Sequence, residues 1–167
     1  MTNKTMRRFF AAIFIITCAG MIFSCSSKKD ETKISVYFPN NTWNRFAPMD
    51  AVFKVDNLKK KYDVSIELSV FNGFNHAVIP VEIVITSPSG QKNILNKDIV
   101  IKDKDDNHIG NVYGDIWTVE RVIYTGKEFS EAGEYSIFIQ NRTHYYDLPK
   151  VKSLSFIVKP SKKKNKR

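Results

Sequence analysis

From about residue 32 onward the chain alternates between apolar and polar positions. In Val64-Ser65-Ile66-Glu67-Leu68-Ser69-Val70-Phe71, Val64, Ile66, Leu68 and Val70 share one side and Ser65, Glu67 and Ser69 the other. A period of two is the mark of a half-buried antiparallel strand. Shorter runs at residues 34–38, 52–55, 81–86, 93–95, 99–101, 116–124, 135–140 and 154–158 read the same way. They are separated by turn chemistry: Pro39-Asn40-Asn41, Pro88-Ser89-Gly90, and the polar stretch Asp103-Lys104-Asp105-Asp106-Asn107. No window beyond residue 32 carries a helical period. The pattern therefore predicts an all-β chain of about eight strands, folded as a single immunoglobulin-like antiparallel β-sandwich. Gly133-Glu134-Tyr135, entering the run at 135–140, predicts a tyrosine that pins a corner through a backbone hydrogen bond.

The first residues follow a different rule. An apolar run behind Arg7 and Arg8 ends in Ile22-Phe23-Ser24-Cys25. A basic start, a short apolar core and a small residue before the cut make an export signal. A cysteine in the first place after the cut makes it a lipoprotein signal, because that thiol carries the diacylglycerol. The segment is too short for a mature transmembrane helix and runs straight into polar residues. An uncleaved anchor and an ordinary secretory signal are the alternatives. The chain divides into a removed leader at 1–24, a lipidated tether at 25–32, a sandwich at 33–159 and a basic, disordered tail at 160–167. Lys29-Asp30-Glu31 in the tether resembles the signal that carries lipoproteins of Bacteroidetes-type bacteria to the cell surface.

Cysteine and charge narrow the chemistry. Both cysteines are accounted for, Cys18 by the leader and Cys25 by the lipid, so thiol catalysis, disulfides and cysteine metal sites are excluded. The formal charge of +9 falls to +6 when Lys4, Arg7 and Arg8 leave. Lys162, Lys163, Lys164, Lys166 and Arg167 hold five of those charges, so the body is nearly neutral. A nucleic-acid partner needs basic residues spread over a docking face, and is not expected. The tail could instead meet lipid or lipopolysaccharide phosphate, or simply be solvated.

Catalytic patterns are missing. His76, His108 and His144 stand far apart, and no nucleophile elbow, phosphate loop or zinc motif occurs. The loop at 103–107 starts like a calcium loop but has His108 and Gly114 where that loop needs glycine and glutamate. No metal or other cofactor is expected. Trp43, Tyr113, Trp117, Tyr145 and Tyr146 fall at loops or strand edges in this reading. Trp43, Tyr113 and the loop from Arg142 to Tyr146 are the candidate interface, suited to a protein partner or a sugar; capping of the core is the competing role.

The order of several features resembles the gliding-motility lipoproteins of the GldH type found in Bacteroidetes. They are Cys25; Tyr37-Phe38-Pro39-Asn40-Asn41 with Trp43; Tyr62 opening a strand that ends in Phe71-Asn72; Pro88-Ser89-Gly90; the segment 110–115; and Gly133-Glu134-Tyr135 leading to Gln140 and Arg142. The resemblance spans residues 33–158. It implies a non-enzymatic outer-membrane lipoprotein, an accessory or scaffold of the gliding and type IX secretion machinery. Its partners would be the membrane, through the anchor, and other motility or secretion lipoproteins or outer-membrane proteins. The periplasmic and surface faces both stay open, as does the alternative of a surface glycan-binding lipoprotein. A hydrolase is the third class, and would need a cleft with a perturbed carboxylate or histidine.

Overall fold

The computed structural model describes residues 31–162. The leader, Cys25 and the last five residues of the basic tail lie outside them. Eight long strands carry the fold: β1 (Thr32–Tyr37), β3 (Met49–Val55), β4 (Tyr62–Phe71), β5 (Val78–Thr86), β6 (Lys92–Val100), β8 (Ile116–Lys127), β9 (Gly133–Asn141) and β11 (Val151–Pro160). Three short ones, β2 (Thr42–Asn44), β7 (Asn111–Tyr113) and β10 (Asp147–Pro149), were not legible in the alternation, because three residues hold too little of a period. The runs at 93–95 and 99–101 are one strand, β6. The polar stretch between them is its exposed middle, on an edge strand with little to bury.

One sheet has the order β1-β11-β4-β8-β7 and the other β3-β9-β5-β6, with a separate two-stranded ribbon of β10 and β2. Every pairing is antiparallel. The expected antiparallel sandwich is present. Its strand order, β1-β11-β4-β8 over β3-β9-β5-β6, is that of a double-sheet jelly roll, in which first and last strands lie side by side. An immunoglobulin sandwich distributes its strands differently.

Between the sheets lies a continuous apolar core. Ile66, Leu68, Leu154 and Phe156 face Ile83, Ile137 and Ile139, all essentially without solvent contact. Toward the end where β1 begins, Phe53, Tyr62, Phe129, Tyr135 and Phe156 pack ring on ring at 4.9–5.9 Å between centroids. Tyr135 forms the expected corner: its hydroxyl donates to the Glu131 carbonyl at 3.0 Å and accepts the Glu131 N–H at 3.3 Å. The open side between β6 and β8 is bridged by Asn93, whose amide donates to the Tyr124 hydroxyl at 2.7 Å. Arg121 donates to the Val100 carbonyl across the same gap.

The outer face of the five-stranded sheet is polar and tightly laced. Ser35 and Ser155 share a hydrogen bond at 2.8 Å, Ser69 and Thr118 another at 3.1 Å, and Ser65 donates to Glu120 at 2.6 Å. Small hydroxyl side chains let the longer Glu67, Glu120, Lys33 and Lys159 close over them, which is why Ser65 and Ser155 are buried on an outward face.

Asp63 locks the end of β11. Its carboxylate accepts from the Ser161 hydroxyl and from the Gly126 N–H at 2.9 Å. The Ser161 hydroxyl first, and the Gly126 amide after burial has opposed it, hold this carboxyl below its ordinary range. A depressed folded pKa gives stability that is full above the unfolded value, near 4, and is lost as pH falls through the folded value. Urea midpoints should therefore drop on acidification below about pH 4, and Asp63→Asn should start lower at pH 7 and flatten that decline. An unchanged acid limb in Asp63→Asn would remove Asp63 from this role.

Candidate functional site

The termini leave from one end of the sandwich, and the opposite end gathers four connections: residues 38–48, 72–77, 101–115 and 142–150. The ribbon of β2 and β10 ties two of them together, with Leu148 opposite Trp43 and Asp147 opposite Asn44. Asn44 donates to the Asp147 carboxylate at 2.7 Å and accepts the Phe46 N–H at 2.8 Å. The Arg45 N–H donates to the Tyr146 carbonyl at 2.7 Å. These bonds set Phe46 and Tyr146 ring to ring at 5.9 Å, and both face solvent at 69% and 66% exposure.

Tyr145, 46% exposed, stands between two histidines, with His144 at 4.0 Å and His76 at 4.9 Å between centroids. His76 in turn rests on the buried ring of Phe74 at 5.3 Å. The loop is braced from below. Thr143, buried, donates to the Asn141 side chain at 2.9 Å and to the Tyr145 carbonyl at 3.3 Å. The Arg142 N–H is held by the Pro80 carbonyl at 2.8 Å, and its side chain is exposed. An exposed set of aromatic rings on braced loops offers flat apolar area with polar rims, the chemistry of a protein hot spot or a sugar platform.

Two of the five candidate contact residues behave differently from the rest. Trp43, a candidate interface residue for which core capping is the competing role, is wholly buried. It stacks on Phe38 at 5.1 Å with 18° between the planes, and its indole N–H donates to the Ala47 carbonyl at 3.2 Å. It caps the core beneath the strip and is corrected to a structural residue. Tyr113 is 88% exposed at the tip of β7, at the same end but on the far edge of the five-stranded sheet from the ribbon. Arg142, Tyr145 and Tyr146 share one loop as expected. His144 lies in that same loop, while Phe46 and His76 join them from two other loops without any signal in the alternation.

The loop at 103–107 spends its carboxylate on itself. Asp103 accepts the N–H groups of Asp105 and Asn107 at 2.9 Å each, and these bonds, Asn107 first, hold its carboxyl below the usual range. Lys102 pairs with Asp106 at 3.0 Å. This is a self-capped hairpin turn. Among the described residues no group of three or more His, Cys, Asp or Glu side chains is placed to hold a metal ion. Nor is any helix among them long and apolar enough to cross a membrane.

A family model described as "GldH lipoprotein" matches residues 32–157. No curated protein matches the chain significantly. Among solved structures, the chain is similar to the VP2 subviral particle of infectious bursal disease virus, with TM-score 0.39 and 10% identity over 84% of this chain and 35% of that one. The structure of the Gx strain of the same virus gives TM-score 0.38 and 12% identity, again over 84% and 35%. The chain spans about a third of the length of these viral chains.

Proposed function

The chain belongs to the GldH lipoprotein family, and on that footing we propose that it is an outer-membrane lipoprotein, acylated at Cys25, that serves the gliding and type IX secretion machinery as a non-catalytic scaffold. The observation that carries this is the family match across 32–157, which takes in nearly every strand of the sandwich. The aromatic strip supports it: Phe46, Tyr145 and Tyr146 with Arg142 are residue types that dominate protein contacts, and they are held on braced loops. An anchored domain searches for its partners in two dimensions, which raises their effective concentration. More than one acyl chain on Cys25 makes that anchoring stable.

The second reading, a glycan-binding surface lipoprotein, is favoured by one feature. Tyr145 with His144 and His76 makes a ring surface of the kind on which sugars stack. Genetic replacement separates the two. Deletion should abolish spreading and reduce secretion. Tyr145→Ala with Tyr146→Ala, both exposed, should reproduce most of that loss, roughly tenfold or more in partner affinity, while the protein accumulates normally. Normal spreading and secretion in the deletion strain, together with polysaccharide binding by the purified domain, would establish the glycan reading instead.

A further inference from the structure

β6 ends its sheet, and three bonds tell which way its backbone points. In an antiparallel ladder both groups of a residue turn to the same neighbour, and successive residues turn to opposite sides. The Gln91 carbonyl accepts the Ser87 N–H at 2.9 Å, and the Ile101 N–H donates to the Ala77 carbonyl at 2.7 Å, so odd-numbered residues turn toward β5. The Val100 carbonyl turns the other way and accepts from Arg121. Lys92, Ile94, Asn96 and Asp98 therefore aim their N–H and C=O groups away from β5, along an edge that no strand of this chain covers.

Sheet proteins blunt such edges with proline, bulges or short strands. β6 uses none of these: its nine residues pair with β5 without a shift of register. The four residues that face outward along the edge are all exposed, Ile94 at 59%. Charge is the remaining deterrent, and it is self-complementary. Lys92 and Asp98 have no ion-pair partner among the described residues. Arg142 lines the same shallow hollow as Asp98 without pairing with it. The opposite edge, β3, is shorter at seven residues, and its Lys54 is already held by Asp56 at 2.9 Å.

We propose that β6 is a self-association edge, on which the β6 of a second copy of this chain pairs antiparallel about a dyad at Leu95. In that register Lys92 of each copy faces Asp98 of the other, and Ile94 faces Asn96. All four are residues whose backbone groups point outward, and each such pair exchanges two N–H···O bonds. Leu95 meets Leu95 on the inner face, and the two Ile94 side chains lie diagonally across the dyad on the outer one. Moving the dyad to Ile94 or Asn96 sets Lys92 against Asn96 or Val100 and leaves both charges unanswered. The two four-stranded sheets become one continuous sheet, with the copies running in opposite directions. Copies anchored in one leaflet share a two-fold axis along the bilayer normal, so this pairing lays their sheets parallel to the bilayer. That consequence rests on the acylated Cys25 of the proposed function; the pairing itself does not.

The test uses the chain from residue 25 with Cys25→Ser, so that no acyl group contributes. Sedimentation equilibrium should show monomer and dimer exchanging at roughly micromolar to millimolar concentration, as suits a contact one strand wide. Lys92→Asp and Asp98→Lys should each weaken the dimer about tenfold, because like charges then face each other at both ends. An equimolar mixture of the two variants, and the double variant carrying both changes, restore opposite charges and should recover association. Asn96→Pro removes an outward N–H without touching the bonds to β5, and should leave a folded monomer. Leu95→Cys should form an intermolecular disulfide on mild oxidation, since opposed residues at such a position have Cα atoms about 4.5 Å apart. Val52→Cys, on β3, should not. A monomer at every concentration overturns the proposal, as does a dimer that ignores the single reversals or is not recovered by the exchange. Cross-linking through Val52→Cys in preference to Leu95→Cys overturns it as well, by moving the contact to β3.

Discussion

Trp43→Ala is expected to lower the stability of this domain by about 3–5 kcal/mol, the range for emptying a fully enclosed large aromatic site. The side chain is wholly buried, stacked on Phe38, and opposite the equally buried Leu148. Alanine removes the stacking surface, leaves a cavity and strips the Ala47 carbonyl of its indole donor. Small domains are stable by only about 5–15 kcal/mol, so this single change takes a large share of the total. At a urea dependence of about 1–3 kcal/mol per molar, the unfolding midpoint should move down by about 1–5 M. Trp43→Phe keeps a ring against Phe38 and loses the indole donor, and should cost clearly less. A midpoint shift below about 0.5 M in Trp43→Ala would mean that the site collapses around the gap and that Trp43 is no keystone. The local consequence matters as much. The ribbon of β2 and β10 sits on this residue, so ring contact between Phe46 and Tyr146 should loosen, and amide exchange there should rise before the central strands respond.

Gly110→Ala should be the most damaging change at a glycine. Gly110 has φ +101°, and a Cβ there would lie 2.3 Å from the Thr118 carbonyl oxygen, inside any tolerable contact. Thr118 is the β8 partner of Asn111, so the intruding methyl pries the first pair of β7 from β8. Backbone strain of about 1–3 kcal/mol adds to overpacking of similar size. The total should reach about 2–4 kcal/mol, capped by the cost of detaching a three-residue edge strand. Gly114→Ala is the matched control. Its φ is also positive, at +60°, but nothing lies within 4 Å of an added Cβ. It should cost only the left-handed strain, about 1–2 kcal/mol. Thermal melts and amide exchange in β7 and β8 measure both. Equal effects of the two variants would show that the Thr118 clash relaxes and that strain alone matters.

The jelly-roll order sharpens why the two ends of this body differ. Side-by-side first and last strands bring both termini out together. The exposed aromatic residues Phe46, Tyr145 and Tyr146 lie at the other end.

Alternation along single segments already specified much of this molecule. Val64 to Val70 read as a half-buried strand because side chains in extended backbone point to opposite faces, whatever the strand later pairs with. The all-β class, the Tyr135 corner and the Pro88-Ser89-Gly90 turn were legible for the same reason: each rests on residues near in sequence. So was the family resemblance, which the match over 32–157 bears out. The partner of each strand was not legible. Period two says that a strand has an inside, and is silent on whether β1 lies beside β11 or elsewhere. Trp43 shows the same limit from the other side. A tryptophan beyond a Pro-Asn-Asn turn looks exposed in one dimension, and only the arrival of Leu148 and Phe38 from elsewhere in the chain covers it. The aromatic strip is only half legible in one dimension: Tyr145 and Tyr146 stand in a loop the sequence already singles out, while Phe46 and His76 reach them from two other loops with no shared pattern. Faces are local properties of an extended chain; neighbours depend on how long-range connections close, and that is decided when the two sheets meet.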